Sequence, residues 1–152
     1  MKKRKIFALL TAAVLFTGAL TGCGGSSDKA GEYADGTYEG TSSVFEGDEE
    51  GNGEGYGVAT ITIEDNVVTA CEFHTYQPDG TLKGSDYGKK GGEVANADFY
   101  NKAQRAVLAC QKYAEQLAET GSLSDVDAIS GATISYHEFQ EAVENALEQA
   151  AK

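Results

Sequence analysis

The chain has 152 residues, of which 41% are hydrophobic and 24% are charged, and this length and composition fit one domain with its own core. All 24 acidic residues follow residue 22, whereas four of the 12 basic residues precede it, so residues 23–152 carry 24 acidic against eight basic side chains. Because this negative balance repels nucleic-acid phosphate and anionic membrane surfaces, we exclude nucleic-acid binding as a function.

The N-terminus has the three zones of a secretory signal peptide. Residues 2–5 are cationic, and the apolar run at residues 6–16 is too short for a stable membrane span. Residues 20–23 (LTGC) resemble a bacterial lipobox, which implies cleavage before Cys23 and lipidation of its sulfur. We therefore predict a signal peptide at residues 1–22 and a lipid anchor on the extracytoplasmic face of the cell membrane. A free cysteine in an ordinary signal region is the alternative.

The segment after the lipobox predicts a flexible connection between anchor and domain. Residues 24–34 (GGSSDKAGEYA) are small and polar, and a coil of this length has a typical reach of roughly 20 Å. The predicted organisation is a lipidated cysteine and tether at residues 23–34, followed by a domain at residues 35–152.

Three segments predict β-strands. Residues 35–41 begin with turn residues and continue with β-favouring ones, while residues 57–63 and 67–76 alternate on either side of a short polar turn. The last two segments therefore predict a hairpin. The side chains predicted to share a face are Ala59, Ile61 and Ile63 in its first strand, and Thr69, Cys71 and Phe73 in its second.

Two segments without periodicity predict loops. Residues 46–54 are acidic and glycine-rich, but they contain no G-x-G-x-x-G pattern, and a calcium loop starting at Asp48 would need glutamate where Ala59 stands. Residues 77–92 are long enough for a functional loop. We predict no metal site, because neither His74 nor His137 has a second ligand at the required spacing.

The C-terminal part predicts two amphipathic helices. The first begins near Asn96 or Asp98 and ends at Gly121, and the second begins at Ser135 as N-cap, since Ser135 and Glu138 form an S-x-x-E capping box. Strands followed by helices predict an α+β fold, a mostly antiparallel sheet packed by two C-terminal helices. The apolar stripes are Phe99, Ala103, Ala106, Cys110, Tyr113 and Leu117 in the first helix, and Tyr136, Phe139, Val143, Leu147 and Ala150 in the second.

Cys71 and Cys110 both fall on predicted core faces. They fit two buried thiols that act as small apolar groups, and a disulfide between them is the alternative outside the cytoplasm. No C-x-x-C motif or cationic neighbour favours a thiol-redox enzyme.

Residues 127–133 (DAISGAT) lie just before the second predicted helix. Gly131 and Ala132 are small enough for a bulky group to approach the backbone, and Thr133 offers a hydroxyl. Unpaired N–H groups at a helix start favour a phosphate there by about 0.3–1 kcal/mol. The alternative is a plain loop in which Ser130 and Asp127 hydrogen-bond to their own backbone.

This segment resembles the D-x-x-S-G-A-T motif of the FMN-binding domain family. The family includes flavinylated subunits of sodium-pumping NADH:quinone oxidoreductases and Rnf complexes, and flavin-carrying lipoproteins of Gram-positive extracellular electron transfer. Residues 35–38, 56–73 and 134–147 resemble the opening strand, the hairpin and the final helix of that family.

The resemblance implies FMN joined to Thr133 by a phosphoester. A flavin transferase that uses FAD and magnesium would make this bond, recognising Asp127, Ser130, Gly131 and Ala132. The function implied is an electron carrier between a membrane quinone or flavoprotein donor and external acceptors, with no catalytic residue of its own. Two alternatives remain, a lipoprotein that binds FMN or another small ligand without a bond, and one that has lost flavin. Candidates to flank the flavin ring are Tyr76, Tyr87, Tyr100 and Tyr136, although Tyr100 and Tyr136 fit the core equally well.

Overall fold

Three antiparallel strands and two long helices make up the part of the chain that the computed structural model describes, residues 32–152. The strands pair in the order β1-β2-β3, α1 packs mainly on β3, and α2 packs on β1 and β2. The predicted α+β fold is therefore confirmed. The elements are β1 (Gly36–Thr41), β2 (Tyr56–Glu64), β3 (Val67–Tyr76), α1 (Ala97–Thr120) and α2 (Thr133–Ala150), with a 3-10 turn at Leu123–Asp125.

The predicted signal peptide, Cys23 and nearly all of the predicted tether lie outside the described residues. Within residues 32–152, no helix is long and apolar enough to span a bilayer. Tyr33 pairs with Ala151, so the start of the described chain lies beside the C-terminal end of α2.

The hairpin of β2 and β3 supplies one side of the core. In β2, Ala59, Ile61 and Ile63 are 0% exposed, which confirms the face predicted from their alternation. The turn contains Asp65 at φ 51° and Asn66 at φ 68°. Asp and Asn tolerate this left-handed conformation, and a pair of such residues suits the twist of a tight hairpin.

The predicted phase of β3 is wrong at its beginning. The register shifts between Thr62 and Ile63, which leaves Thr69 without a partner on β2. One extra residue in a strand reverses which side chains point inward, so Val68 is buried and Thr69 is exposed. Beyond this bulge the strand keeps the predicted phase, and Phe73 is buried.

The predicted ends of α1 are confirmed. The side chain of Asn96 accepts a hydrogen bond from the backbone N–H of Phe99 at 3.0 Å, which caps the first turn. Gly121 ends the helix at φ 74°, where its N–H donates to the Leu117 carbonyl at 2.8 Å.

The predicted start of α2 is wrong. The helix begins at Thr133, its N-cap is Ala132, and Ser135 is the third helical residue. The Tyr136 N–H donates to the Ala132 carbonyl at 3.0 Å, which closes the first turn three residues earlier than the S-x-x-E pattern predicts. Glu138 is therefore not part of a capping box, and its side chain lies elsewhere, as described below.

Cys71 and Cys110 are free thiols, Cys71 half-buried and Cys110 buried. Burial raises the pKa of Cys71 to about 12 and that of Cys110 to about 11. Both therefore stay protonated at neutral pH, which agrees with the prediction that they act as apolar groups.

Candidate functional site

A cleft of about 440 Å³ opens at the N-terminal end of α2. The first turns of α2, the first half of α1, the acidic loop before β2 and the loop after β3 form its walls. Its volume lies within the range of small-molecule sites, roughly 300–1,000 Å³. The lining residues that matter chemically are Lys83, Tyr87, Phe99, Lys102, Thr133 and Glu138.

A tight turn carries the chain from the motif into α2. The Ala132 N–H donates to the Ile129 carbonyl at 3.1 Å, and Gly131 has φ +81°. A turn with positive φ at its third residue accommodates glycine at little cost, which explains the glycine of the motif. Ala132 is buried in the wall of the cleft.

Tyr113 of α1 holds this turn in place. Its buried hydroxyl accepts a hydrogen bond from the Ile129 N–H at 3.0 Å and donates to the Ala132 carbonyl at 3.2 Å. The Tyr136 hydroxyl donates to the Val126 carbonyl at 2.8 Å. Two aromatic residues, one from each helix, therefore fix the backbone around the motif.

Thr133 is exposed at the rim of the cleft, as the first residue of α2. Its N-cap, Ala132, has no side-chain acceptor. Within the described residues, the backbone N–H groups of Thr133, Ile134 and Ser135 have no hydrogen-bond partner. Three N–H donors without a partner in this part of the chain and the positive end of the helix dipole thus lie at the helix start that carries Thr133, which suits an anion.

The five predicted motif residues separate into two groups. Gly131, Ala132 and Thr133 line the cleft, whereas Asp127 and Ser130 lie outside it. The backbone N–H of Asp127 donates to the Gln116 side chain at 3.0 Å, and the carboxylate of Asp127 is exposed to solvent. Recognition of these residues by a transferase stays a prediction.

Lys83 is a site residue that sequence reasoning missed. Its side chain is only 8% exposed, lies 5.2 Å from the centre of the Tyr87 ring and donates to the Gly53 carbonyl at 3.4 Å. Burial lowers the pKa of Lys83, and the charge of Glu138 opposes this shift. The only signal in the sequence was the length of the loop that contains it.

Glu138 was also missed, because its spacing from Ser135 suggested a capping role. The residue is 6% exposed, and its Oε1 atom has no hydrogen-bond partner within the described part of the chain. Burial raises the pKa of Glu138, and the charge of Lys83 lowers it in part. No ion pair within 4.0 Å joins the two side chains among residues 32–152.

Aromatic and basic residues of α1 complete the cleft. Phe99 is 40% exposed there, and Lys102 donates to the Glu50 carbonyl at 2.8 Å, which ties the acidic loop to the helix. Within residues 32–152, no cluster of three potential metal ligands occurs. Of the tyrosines predicted to flank a ring, Tyr87 lines the cleft, whereas Tyr76, Tyr100 and Tyr136 do not.

Comparisons with known proteins bear on the fold and the family of this chain. At 20% identity, a crystal structure of the CPE2226 protein from Clostridium perfringens matches 78% of this chain and 88% of that one, with a TM-score of 0.54. Such a likeness shows a shared fold alone. A search of curated proteins finds no significant match. The sequence model of the FMN-binding domain matches residues 52–148, which include the whole motif and most of the cleft. This chain therefore belongs to the FMN-binding domain family.

Proposed function

We propose that this protein carries FMN attached through a phosphoester to Thr133 and that it moves electrons at the outer face of a cell membrane. The observation that carries the proposal is the position of Thr133, an exposed residue at the rim of a cleft, at a helix start where three backbone N–H groups have no hydrogen-bond partner among residues 32–152. Membership of the FMN-binding domain family supports flavin as the ligand.

The residues of the cleft fit FMN. The phosphate would lie at the N-terminus of α2, and the ring system would enter between Tyr87 and Phe99. Two of the eight basic side chains in residues 23–152, Lys83 and Lys102, line this one cleft together with Asp48, Glu50 and Glu138, so binding of an anion there would depend on the helix N-terminus and these two lysines. Oε1 of Glu138, which has no partner in the described part of the chain, leaves a polar atom for a ligand to satisfy.

The attachment itself would be a transfer reaction catalysed by another enzyme. The Thr133 hydroxyl oxygen forms a bond to the FMN phosphorus of FAD, the pyrophosphate bond breaks, AMP leaves, and the hydroxyl proton passes to solvent. Thr133 is exposed, which gives a transferase access to the acceptor hydroxyl. Thr133 is then a modified residue and takes no part in turnover.

FMN supplies a ring that accepts one or two electrons, and the protein supplies position and environment. The chain enters the described domain beside Ala151, whereas Thr133 is at the other end of the 18-residue helix α2, about 25 Å away. If Cys23 anchors the protein, this geometry favours a flavin that faces away from the membrane, towards external acceptors. The tether at residues 24–34 would allow the domain to turn back towards a membrane quinol or flavoprotein donor.

Covalent attachment is tested by fluorescence of the denatured protein on a gel, after production with and without a flavin transferase. We expect a fluorescent band in the wild type that requires the transferase and disappears completely in Thr133→Ala. Thr41→Ala, at an exposed threonine of β1, is the control and should keep the band. Flavin that leaves the protein on denaturation would support non-covalent binding, and protein without flavin would contradict both.

Electron transfer needs a separate measurement on the loaded protein. After chemical reduction, the holoprotein should reduce ferric iron or a quinone analogue, and the unloaded Thr133→Ala protein should not. A loaded protein that reduces neither acceptor would contradict the carrier function while leaving the attachment intact.

A further inference from the structure

We propose that Glu138 and Lys83 together recognise an imide edge, a ring N–H flanked by carbonyl groups, and so orient the flavin ring within the cleft. The inference rests on the proposed function, because the imide edge in question is that of the flavin ring. It concerns how this chain holds the ring, which is independent of how the phosphate is attached.

The first observation is the unsatisfied acceptor of Glu138. Its side chain is more than nine-tenths buried, lines the cleft, and has no hydrogen-bond partner for Oε1 among the described residues. Buried polar atoms are almost always paired, since an unpaired one loses its hydration without compensation. Helix capping does not explain Glu138, because α2 begins at Thr133. An atom of this kind in the wall of a cleft indicates a ligand that brings a donor.

The second observation is the placement of Lys83. This buried ammonium group lines the same cleft, yet within residues 32–152 it makes no ion pair within 4.0 Å with Glu138. It contacts the Gly53 carbonyl and the face of Tyr87, which do not neutralise it. Lys83 and Glu138 have opposite charges and line one cleft without contacting each other. A ligand with a hydrogen-bond acceptor near Lys83 and a donor near Glu138 would bind both side chains.

The ligand class follows from these two requirements and from the walls. A cationic group that contacts both side chains would be repelled by Lys83, and an anionic group that contacts both would be repelled by Glu138. A neutral group with adjacent C=O and N–H avoids both conflicts, and Tyr87 and Phe99 favour a flat ring. The pyrimidine end of the flavin ring has this arrangement, so we assign N3–H of the ring to Glu138 and a neighbouring carbonyl to Lys83.

The test titrates unloaded full-length protein with FMN, with N3-methyl-FMN and with 8-ethyl-FMN, followed by quenching of flavin fluorescence. N3-methyl-FMN lacks the donor, whereas 8-ethyl-FMN adds one carbon at the far end of the ring and serves as the steric control. We expect wild-type protein to bind N3-methyl-FMN about tenfold more weakly than FMN, equivalent to about 1.4 kcal/mol. Binding of 8-ethyl-FMN should stay close to that of FMN.

Variants of Glu138 and Lys83 separate recognition from packing. Glu138→Gln keeps a carbonyl oxygen as acceptor and should keep the tenfold preference, while Glu138→Met should lose it. In transferase-loaded protein, Lys83→Met should shift the flavin reduction potential to more negative values, because a cation near the ring carbonyl stabilises the reduced ring, and Lys83→Arg should restore it. Thermal unfolding of each variant checks that it is folded.

The outcomes distinguish this inference from the proposed function. Equal binding of FMN and N3-methyl-FMN by the wild type, or no binding of either, overturns the inference, even if the transferase labels Thr133. Failure of the transferase to label Thr133, with the tenfold preference present, overturns covalent attachment and leaves the recognition of the imide edge standing.

Discussion

Burial shifts the pKa of several side chains in this protein, but only some of these side chains face the cleft. Cys71 and Cys110 are held as neutral thiols because burial raises the pKa of each. Burial also raises the pKa of Glu138 and lowers the pKa of Lys83, because it disfavours the charged form of both side chains. The two thiols are packed and chemically idle, whereas the two charged groups face the cleft and are available to a ligand.

Glu138 should make the stability of the unloaded protein depend on pH. Burial raises the pKa of Glu138 in the folded state above the ordinary value of 4.5. At any pH between 4.5 and this raised pKa, the folded state therefore binds more protons than the unfolded state. Stability contributed by protonated Glu138 is therefore lost as pH rises from about 4.5 through the folded-state pKa. The charge of Lys83 opposes the shift, and the neutral side chains of Tyr87 and Cys110 are the other titratable groups coupled to Glu138.

Chemical denaturation across this pH range checks the effect. Relative to the wild type, Glu138→Gln should become progressively more stable as pH rises, because it cannot acquire the buried charge. Glu144→Gln, at an exposed position of the same helix, should run parallel to the wild type at all pH values. Parallel curves for wild type and Glu138→Gln would contradict the raised pKa.

Tyr113 links the stability of the core to the geometry of the motif. In Tyr113→Phe the Ile129 N–H loses its acceptor and the Ala132 carbonyl loses a donor, which should destabilise the protein by about 1–3 kcal/mol. We also expect slower flavin attachment at Thr133, because the turn before it is less well fixed. The control is Tyr38→Phe, which removes a hydroxyl bonded to the Ala34 carbonyl far along the chain from the motif. Unchanged labelling in Tyr113→Phe would show that the turn is fixed without this hydroxyl.

Among the elements, the close packing of α2 on β1 positions the cleft. Gly40 of β1 lies directly against the α2 backbone, so a Cβ atom at this position would overlap Ala142 and Ala146. Side chains of α2 also bond to the edge of the strand, where Asn145 donates to the Thr41 carbonyl at 2.7 Å. The sheet edge is thus covered by the helix that carries Thr133 at its other end.

Gly40→Ala should therefore force α2 away from the sheet. We expect a loss of about 1–3 kcal/mol in unfolding free energy, since the overlap is with backbone atoms that cannot rotate away. Gly84→Ala is the matched control, because its added methyl group would make only ordinary contacts, 3.8 Å from Leu82. Denaturant unfolding of both variants measures the difference, and a Gly40→Ala protein as stable as the control would contradict the close approach.

The whole molecule combines a strongly acidic composition with a few basic groups in one cleft. Residues 23–152 have 24 acidic and eight basic side chains, and Lys83 and Lys102 are among the eight.

This net negative charge should make the rate of electron transfer from the loaded protein to small acceptors depend on the charge of the acceptor. We expect the rate with an anionic acceptor such as ferricyanide to rise with ionic strength, and the rate with a cationic hexaammineruthenium acceptor to fall. A neutral quinone analogue is the control, and equal salt dependence for all three would contradict the prediction.

Many structural features of this protein can be predicted from its amino-acid sequence, because the sequence signals for them are local. Each of these signals involves only a few neighbouring residues, and each predicted feature is present: the alternation in residues 57–63, the N-cap at Asn96 and the end of α1 at Gly121. The D-x-x-S-G-A-T motif is likewise contiguous, so the family can be recognised from the amino-acid sequence. The hairpin turn and the order of the strands and helices were predicted from neighbouring residues in the same way.

Other features depend on how the elements pack. A bulge opposite Ile63 changes which side chains of β3 are buried, and the Tyr113 hydroxyl fixes the turn that precedes the start of α2 at Thr133. The cleft joins Lys83 to Glu138, which are separated by a complete helix and two loops in the chain. Burial and the lack of a partner for Oε1 among residues 32–152 give Glu138 its chemistry. Both properties depend on neighbours that are distant in sequence, so no local pattern could reveal them.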